Sequence, residues 1–173
     1  MADEGLSRPR FEALFVKLEK PVFNVVYRWL WSTEESRDVT QEAFLKVWNA
    51  RARVKLETVE PLVFQSALNL AANRLRVRRL RRFFSLEAVA NERDPGQTAE
   101  SALESEQRRA KVREAIDALP EKLKAVVVLC EFSGLSTNEI SQALGIPPGT
   151  VGSRRHQAMQ QLEASLGPVE DVS

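Results

Sequence analysis

The sequence predicts an all-α protein made of two small helical domains joined by a flexible linker. Apolar residues recur at spacings of three and four along most of the 173 residues, and few segments alternate with a period of two. Prolines, glycines and capping motifs stand where such helical segments would begin and end. A stretch of Pro, Gly and polar residues at 91–98 interrupts the helical pattern near the middle of the chain. We therefore expect one domain at 8–84, a linker at 85–108, a second domain at 109–167 and a tail at 168–173.

The first domain is predicted to contain three helices. The first helix runs over about 9–31, with a kink or a break at Pro21 because proline removes a backbone donor. Residues 32–35, Ser-Thr-Glu-Glu, have the form of a capping box that opens a second helix over about 33–51. A proline in its first turn suits the start of a third helix, which we expect over about 61–83.

The second domain is predicted to contain four helices, at about 99–119, 120–133, 136–144 and 147–166. The third of these begins with another capping box, Ser-Thr-Asn-Glu. Gly145 separates the last two helices, where a tight turn favours a positive φ angle. A short helix, a tight turn and a longer helix are the pattern of a helix-turn-helix.

Composition excludes several classes of function. No apolar run approaches the roughly 20 residues that a membrane helix needs, and the acidic start of the chain is unlike a signal peptide. The single cysteine, Cys130, lies in an apolar stretch and is expected to be a core residue and not a reactive thiol. With one Cys and one His a zinc site is not expected, and no catalytic constellation or phosphate loop stands out. We expect a soluble cytoplasmic protein that is not an enzyme and needs no cofactor.

Charge is distributed unevenly although the net charge is only +1. Six arginines and no acid occur between Arg74 and Arg82. The stretch at 84–107 holds six acids and one base, a net charge of −5. These opposite charges predict a polarised molecule, and we expect a closed state in which the linker masks the arginines.

The start of the last helix carries the side chains expected to read DNA in a major groove. Arg can bond a guanine edge in a bidentate manner, and Gln can pair with adenine. The alternative is an ordinary helical bundle with a basic face. The candidate residues are Thr150, Ser153, Arg154, Arg155, His156 and Gln157.

The arginine-rich half of the third helix has two interpretations, a solvated face or a phosphate-binding surface. Leu80 is expected on its buried side. Phe83 and Phe84 could stack on bases, although anchoring in the core or the linker is the favoured interpretation. The second helix presents a polar face whose members are spaced by three, four and seven, and it suits either solvent or a partner. That face consists of Asp38, Gln41, Glu42 and Leu45.

Four segments together resemble the sigma-70 family of RNA polymerase sigma factors, in the extracytoplasmic-function group. Residues 38–48 (DVTQEAFLKVW) and 67–76 (ALNLAANRLR) resemble region 2 of that family. Residues 118–129 (ALPEKLKAVVVL) and the helix-turn-helix at 134–154 resemble region 4. The resemblance covers about 11–83 and 110–166, with both motifs in the family's order.

The resemblance implies a role for each surface. The polar face of the second helix would dock on the β′ clamp of core RNA polymerase, with the β subunit as a further contact. The loop near 50–58 and the third helix would recognise and melt the −10 element, and the helix-turn-helix would read the −35 element. The acidic linker would thread toward the RNA path, and an anti-sigma protein would hold the factor inactive. The implied −10 residues are Asn69, Asn73, Arg74, Arg76 and Arg79.

Three positions depart from the family pattern. Leu62 stands where Trp is frequent, Gly152 replaces a frequent Lys or Arg, and Gln157 replaces a frequent Arg. We therefore expect fewer phosphate contacts from the recognition helix and an unusual −35 sequence. Two other functions fit parts of the chain: a helix-turn-helix regulator acting without polymerase, and a helical adaptor that does not bind DNA.

Overall fold

The computed structural model describes residues 5–85 and 99–167, which form seven α-helices, two short 3-10 helices and no strand. The all-α prediction is thereby confirmed. The 3-10 helices, Arg51–Arg53 and Leu56–Thr58, occupy the predicted loop. The α-helices are α1 (Arg8–Leu30), α2 (Thr33–Asn49), α3 (Val59–Phe84), α4 (Ala99–Asp117), α5 (Glu121–Phe132), α6 (Thr137–Leu144) and α7 (Pro148–Leu166).

Helices α1, α2 and α3 pack against one another as a three-helix bundle. Its centre is formed by large apolar side chains that are almost completely buried, among them Val25, Phe44 and Phe64. The predicted break at Pro21 is wrong, because α1 continues through it without interruption. Val22 and Val25, which follow the proline, are fully buried in this core, and their packing holds the helix together across the missing N–H.

The predicted capping box of α2 forms only in part. Ser32 Oγ accepts the N–H of Glu35 at 3.3 Å and thereby caps the helix. The Glu35 carboxylate, however, forms an ion pair with Arg78 on α3. The long-range charged partner thus takes the glutamate that the sequence pattern assigned to the box.

Helices α6 and α7 form the predicted helix-turn-helix. The capping box of α6 is complete: Ser136 Oγ accepts the N–H of Glu139 at 3.3 Å, and the Glu139 carboxylate accepts the Ser136 N–H at 2.7 Å. Gly145 ends α6 with φ at +63°, as the turn requires. Ile140 and Val151 are each only 2% exposed and form the small core between the two helices.

The two halves of the chain pack together into one continuous core. Helix α6 contacts α3, and α4 and α5 contact α1. Within the predicted linker, residues 99–108 belong to α4, while 86–98 lie outside the described residues, as does the tail at 168–173. The predicted masking of the arginines by that linker therefore also concerns a segment outside the described residues.

Candidate functional site

The first turns of α7 present most of the predicted −35 residues to solvent. Ser153, His156 and Gln157 are exposed, whereas Thr150 and Arg154 are half-buried. Ser153 Oγ donates to the Thr150 carbonyl at 3.2 Å, which fixes its hydroxyl beside the helix start. The surface that a major groove would meet is therefore open to solvent in this structure.

Arg155 differs from its neighbours because it is held by a carboxylate on α5. Its Nη2 and Nε atoms donate to Oε1 of Glu131 at 2.8 and 3.2 Å. Hydrogen bonding to Glu131 raises the pKa of Arg155 above its ordinary value. The structure thus ties one of the predicted DNA contacts to the body of the second half.

The polar face of α2 is present as predicted. Asp38, Gln41 and Leu45 are exposed, Leu45 by 58%, and Glu42 is half-buried beside them. Arg74 of α3 lies against this face: its Nη1 is 3.8 Å from Asp38 and its Nη2 is 3.6 Å from Glu42. One arginine therefore links the predicted polymerase-binding face with the predicted −10 surface.

The arginines of α3 divide into two groups. Arg74 and Arg78 point back to the bundle, where Arg78 pairs with Glu35 and donates to the Leu30 carbonyl at 3.0 Å. The second group is exposed and has no carboxylate partner within the described ranges 5–85 and 99–167. It consists of Arg76, Arg79, Arg81 and Arg82, and the predicted −10 residues Asn69 and Asn73 are exposed as well.

The end of α3 corrects two predictions. Phe83 and Phe84 are each 83% exposed, so they do not anchor the core, and Leu80 is 55% exposed and not on a buried side. Ala71 is the last fully buried residue of α3, because the helix extends past the elements that cover its first turns. A signal for this exposure was available, since a three- and four-residue spacing links Asn69 to Phe83 on one face.

Cys130 is partly buried, and burial raises the pKa of its thiol. This agrees with its predicted place in the core. Within the described part of the chain, no group of three His, Cys, Asp or Glu side chains is placed to hold a metal ion. None of the described helices is long and apolar enough to cross a membrane.

Comparison with known proteins matches both halves to one family. Residues 14–81 match Sigma-70 region 2, and residues 109–162 match Sigma-70, region 4. The RNA polymerase sigma-H factor of Pseudomonas aeruginosa is 30% identical, over 92% of this chain and 87% of its own. The ECF RNA polymerase sigma-E factor of Escherichia coli K12 shows the same identity and coverage.

A solved structure shows the same fold. It is the sigma factor RpoE in complex with the anti-sigma factor NepR from Bartonella quintana, with a TM-score of 0.69 at 16% identity, covering 92% of this chain and 98% of that one. Region 2 is here the α1–α3 bundle and region 4 the half that ends in α6 and α7. The chain belongs to the sigma-70 family, in its extracytoplasmic-function group, and is a sigma factor that directs RNA polymerase to promoters.

Proposed function

We propose that this sigma factor uses three separate surfaces, one for core polymerase and two for promoter DNA, and that it helps to open the promoter. The observation that carries the proposal is the exposure of all three surfaces on different helices: α2, α3 and the start of α7. A polar face and two base-reading surfaces on a helical scaffold suit an adaptor between an enzyme and DNA. They do not suit catalysis, and we propose a non-enzymatic cytoplasmic factor that works without a cofactor.

The α2 face is the proposed docking surface for the β′ subunit, with β as a second contact. Asp38, Gln41 and Glu42 supply acceptors and an amide, and Leu45 supplies an exposed apolar centre. Charged and polar groups of this kind give orientation, while the apolar contact adds buried area. Arg74 would have to share or release its two carboxylates when a basic polymerase surface approaches.

The exposed side of α3 is the proposed −10 surface. Asn69 and Asn73 can read base edges, and Arg76 and Arg79 can neutralise phosphates. Arg74 belongs to this surface through its position on α3, although its guanidinium faces α2. Because two of the six arginines hold the bundle together, we expect fewer phosphate contacts than the sequence count suggests.

The start of α7 is the proposed −35 surface. Arg154 and Gln157 are the proposed base readers, and Ser153 and Thr150 would contact the backbone. His156 lies exposed beside them, and Arg155 joins them once Glu131 releases it. Gly152 adds no contact at the centre of this surface.

An anti-sigma protein is the proposed regulatory partner. The structural neighbour from Bartonella quintana is a sigma factor bound to an anti-sigma factor, and it shares this fold over almost its whole length. The packed arrangement of the two halves leaves the α2 face and the end of α3 uncovered by the described residues. A partner that covers either surface would block promoter recognition.

Run-off transcription with purified core polymerase and a genomic promoter pool tests the whole proposal. We expect promoter-specific transcripts only when the protein is added. The double substitution Asp38→Ala with Gln41→Ala should abolish capture by core polymerase in a pull-down, whereas the matched control Glu19→Ala on the exposed side of α1 should not. Arg154→Ala should weaken recognition of the −35 element and leave capture unchanged. A pool without any specific transcript, or unchanged capture of the α2 variant, would overturn the assignment.

A further inference from the structure

The exposed side of α3 forms one continuous stripe. Asn69, Asn73, Arg76, Leu80 and Phe83 follow one another in steps of four, three, four and three residues, so they lie in a line along the helix. The line lies opposite the buried side of α3 and spans about 21 Å at 1.5 Å per residue. The proposed base readers therefore continue directly into an apolar end.

The apolar end of the stripe is unusually exposed. Phe83 and Phe84 are each 83% exposed, and their rings meet edge to face with centroids 5.4 Å apart. Leu80 is 55% exposed one turn earlier. Large apolar side chains grouped in this way on a protein surface mark an interaction site more often than scattered single residues do.

The charges around this end indicate an anionic occupant. Arg76, Arg79, Arg81 and Arg82 surround the aromatic pair, and no acid of the described residues pairs with them. Flat aromatic faces within a cluster of arginines are the combination that single-stranded nucleic acid binds, since bases stack on the rings and phosphates meet the guanidinium groups. A fully paired duplex offers no base face to such a ring.

We propose that Leu80, Phe83 and Phe84 form a stacking platform for unpaired bases of promoter DNA. The proposal rests on the DNA-binding role of α3 proposed above and extends it from base reading to the holding of melted DNA. The four exposed arginines contact the phosphates on either side of the stacked bases. This platform stabilises the open promoter and contributes little to binding of the closed duplex.

Two probes separate stacking from phosphate contact. A fluorescent oligodeoxythymidine and an abasic strand of the same length are titrated with the full-length protein, and anisotropy gives the Kd. We expect Phe83→Ala with Phe84→Ala to weaken oligodeoxythymidine binding about tenfold or more, with unchanged affinity for the abasic strand. Arg79→Ala with Arg82→Ala should weaken both. Val16→Ala, an exposed apolar residue of α1, is the matched control and should change neither.

Holoenzyme measurements separate failure of the platform from failure of the −10 assignment. Promoter opening is followed on a duplex template and on the same template with mismatched bases in the −10 region. If Asn73→Ala with Arg76→Ala impairs opening and the phenylalanine variant does not, only the platform is wrong. If neither variant impairs opening, the −10 role of α3 is wrong as well. Equal weakening of abasic and base-containing strands by the phenylalanine variant would also overturn stacking.

A membrane surface is the other anionic partner that arginines and phenylalanines could suit. Co-sedimentation with vesicles of phosphatidylglycerol and phosphatidylcholine tests it in parallel. If the phenylalanine variant loses vesicle binding while its affinity for oligodeoxythymidine stays that of the wild type, the platform is a lipid contact and the proposal fails. Restored oligonucleotide binding in Phe83→Trp with Phe84→Trp would support base stacking.

Discussion

The indole nitrogen of Trp31 lies 3.0 Å from both carboxylate oxygens of Asp117, and this hydrogen bond joins the two halves of the chain. The same carboxylate accepts from Lys124 Nζ at 2.6 Å. Arg113 of α4 donates to the Tyr27 hydroxyl at 3.1 Å nearby. Asp117 is therefore the common acceptor where α1 meets α4 and α5.

Substitution of Asp117 by Asn should destabilise the packed state. The Lys124 side chain is almost completely buried, so its ammonium group depends on Asp117 for a counter-charge. We expect a loss of about 1–3 kcal/mol in the free energy of unfolding in urea. The additional change Lys124→Met should recover much of this loss, because no uncompensated charge then remains buried. Equal stability of Asp117→Asn and the wild type would contradict this role for Asp117.

The same lysine gives stability a defined dependence on pH. Burial lowers the pKa of Lys124 from its ordinary 10.5, and the hydrogen bond from Asp117 opposes that shift. The unfolded chain therefore binds more protons than the folded chain between the lowered pKa and 10.5, so this residue's contribution to stability rises with pH across that window. Urea melts at increasing alkaline pH should show a smaller rise for Lys124→Met than for the wild type.

Two glycines of the helix-turn-helix should respond to alanine in opposite directions. Gly145 has φ at +63°, where a side chain is strained, so Gly145→Ala should destabilise the protein by about 1 kcal/mol. Gly152 lies within α7, and a Cβ there would meet no atom within 4 Å. Gly152→Ala should stabilise by about 1 kcal/mol through helix propensity. Thermal unfolding checks both, and a shift of the same sign for the two variants would contradict the assignment.

The capping box of α6 should make this region sensitive to acid. Hydrogen bonds from Ser136 lower the pKa of Glu139 from its ordinary 4.5. The stabilising contribution is therefore complete above that ordinary value and is lost as pH falls through the lowered pKa. Ser136→Ala should cost about 1 kcal/mol at neutral pH. It should also flatten the acid limb of the stability profile, and an unchanged limb would argue against the box.

Local chemistry explains which features could be predicted from sequence. The helices, the complete capping box at Ser136 and the positive φ at Gly145 depend on neighbours within a few residues, and all three were predicted correctly. The continuity of α1 through Pro21 depends on packing of the whole bundle. Residue patterns along one helix carry no information about that packing, and a break was predicted there instead.

Long-range ionic partners were the main features that sequence could not supply. Glu35 pairs with Arg78, which is 43 positions away, and Arg74 lies between Asp38 and Glu42. Such pairs follow from the way α2 and α3 cross, which no spacing rule encodes. The exposure of Phe83 has the same origin, because nothing in the sequence shows where the cover of α3 ends.

Glu131 should restrain promoter binding through Arg155. Its carboxylate holds the guanidinium at 2.8 Å in the free protein, so DNA must compete for this arginine. Glu131→Gln should free Arg155 for a phosphate, tighten holoenzyme binding at low salt and steepen the log–log salt dependence by about 0.9. Glu121→Gln removes the same charge from α5 without releasing an arginine, and it should leave the slope unchanged. The gain should vanish in Glu131→Gln with Arg155→Ala, and a gain that persists there would mean that the removed charge, and not Arg155, carries the effect.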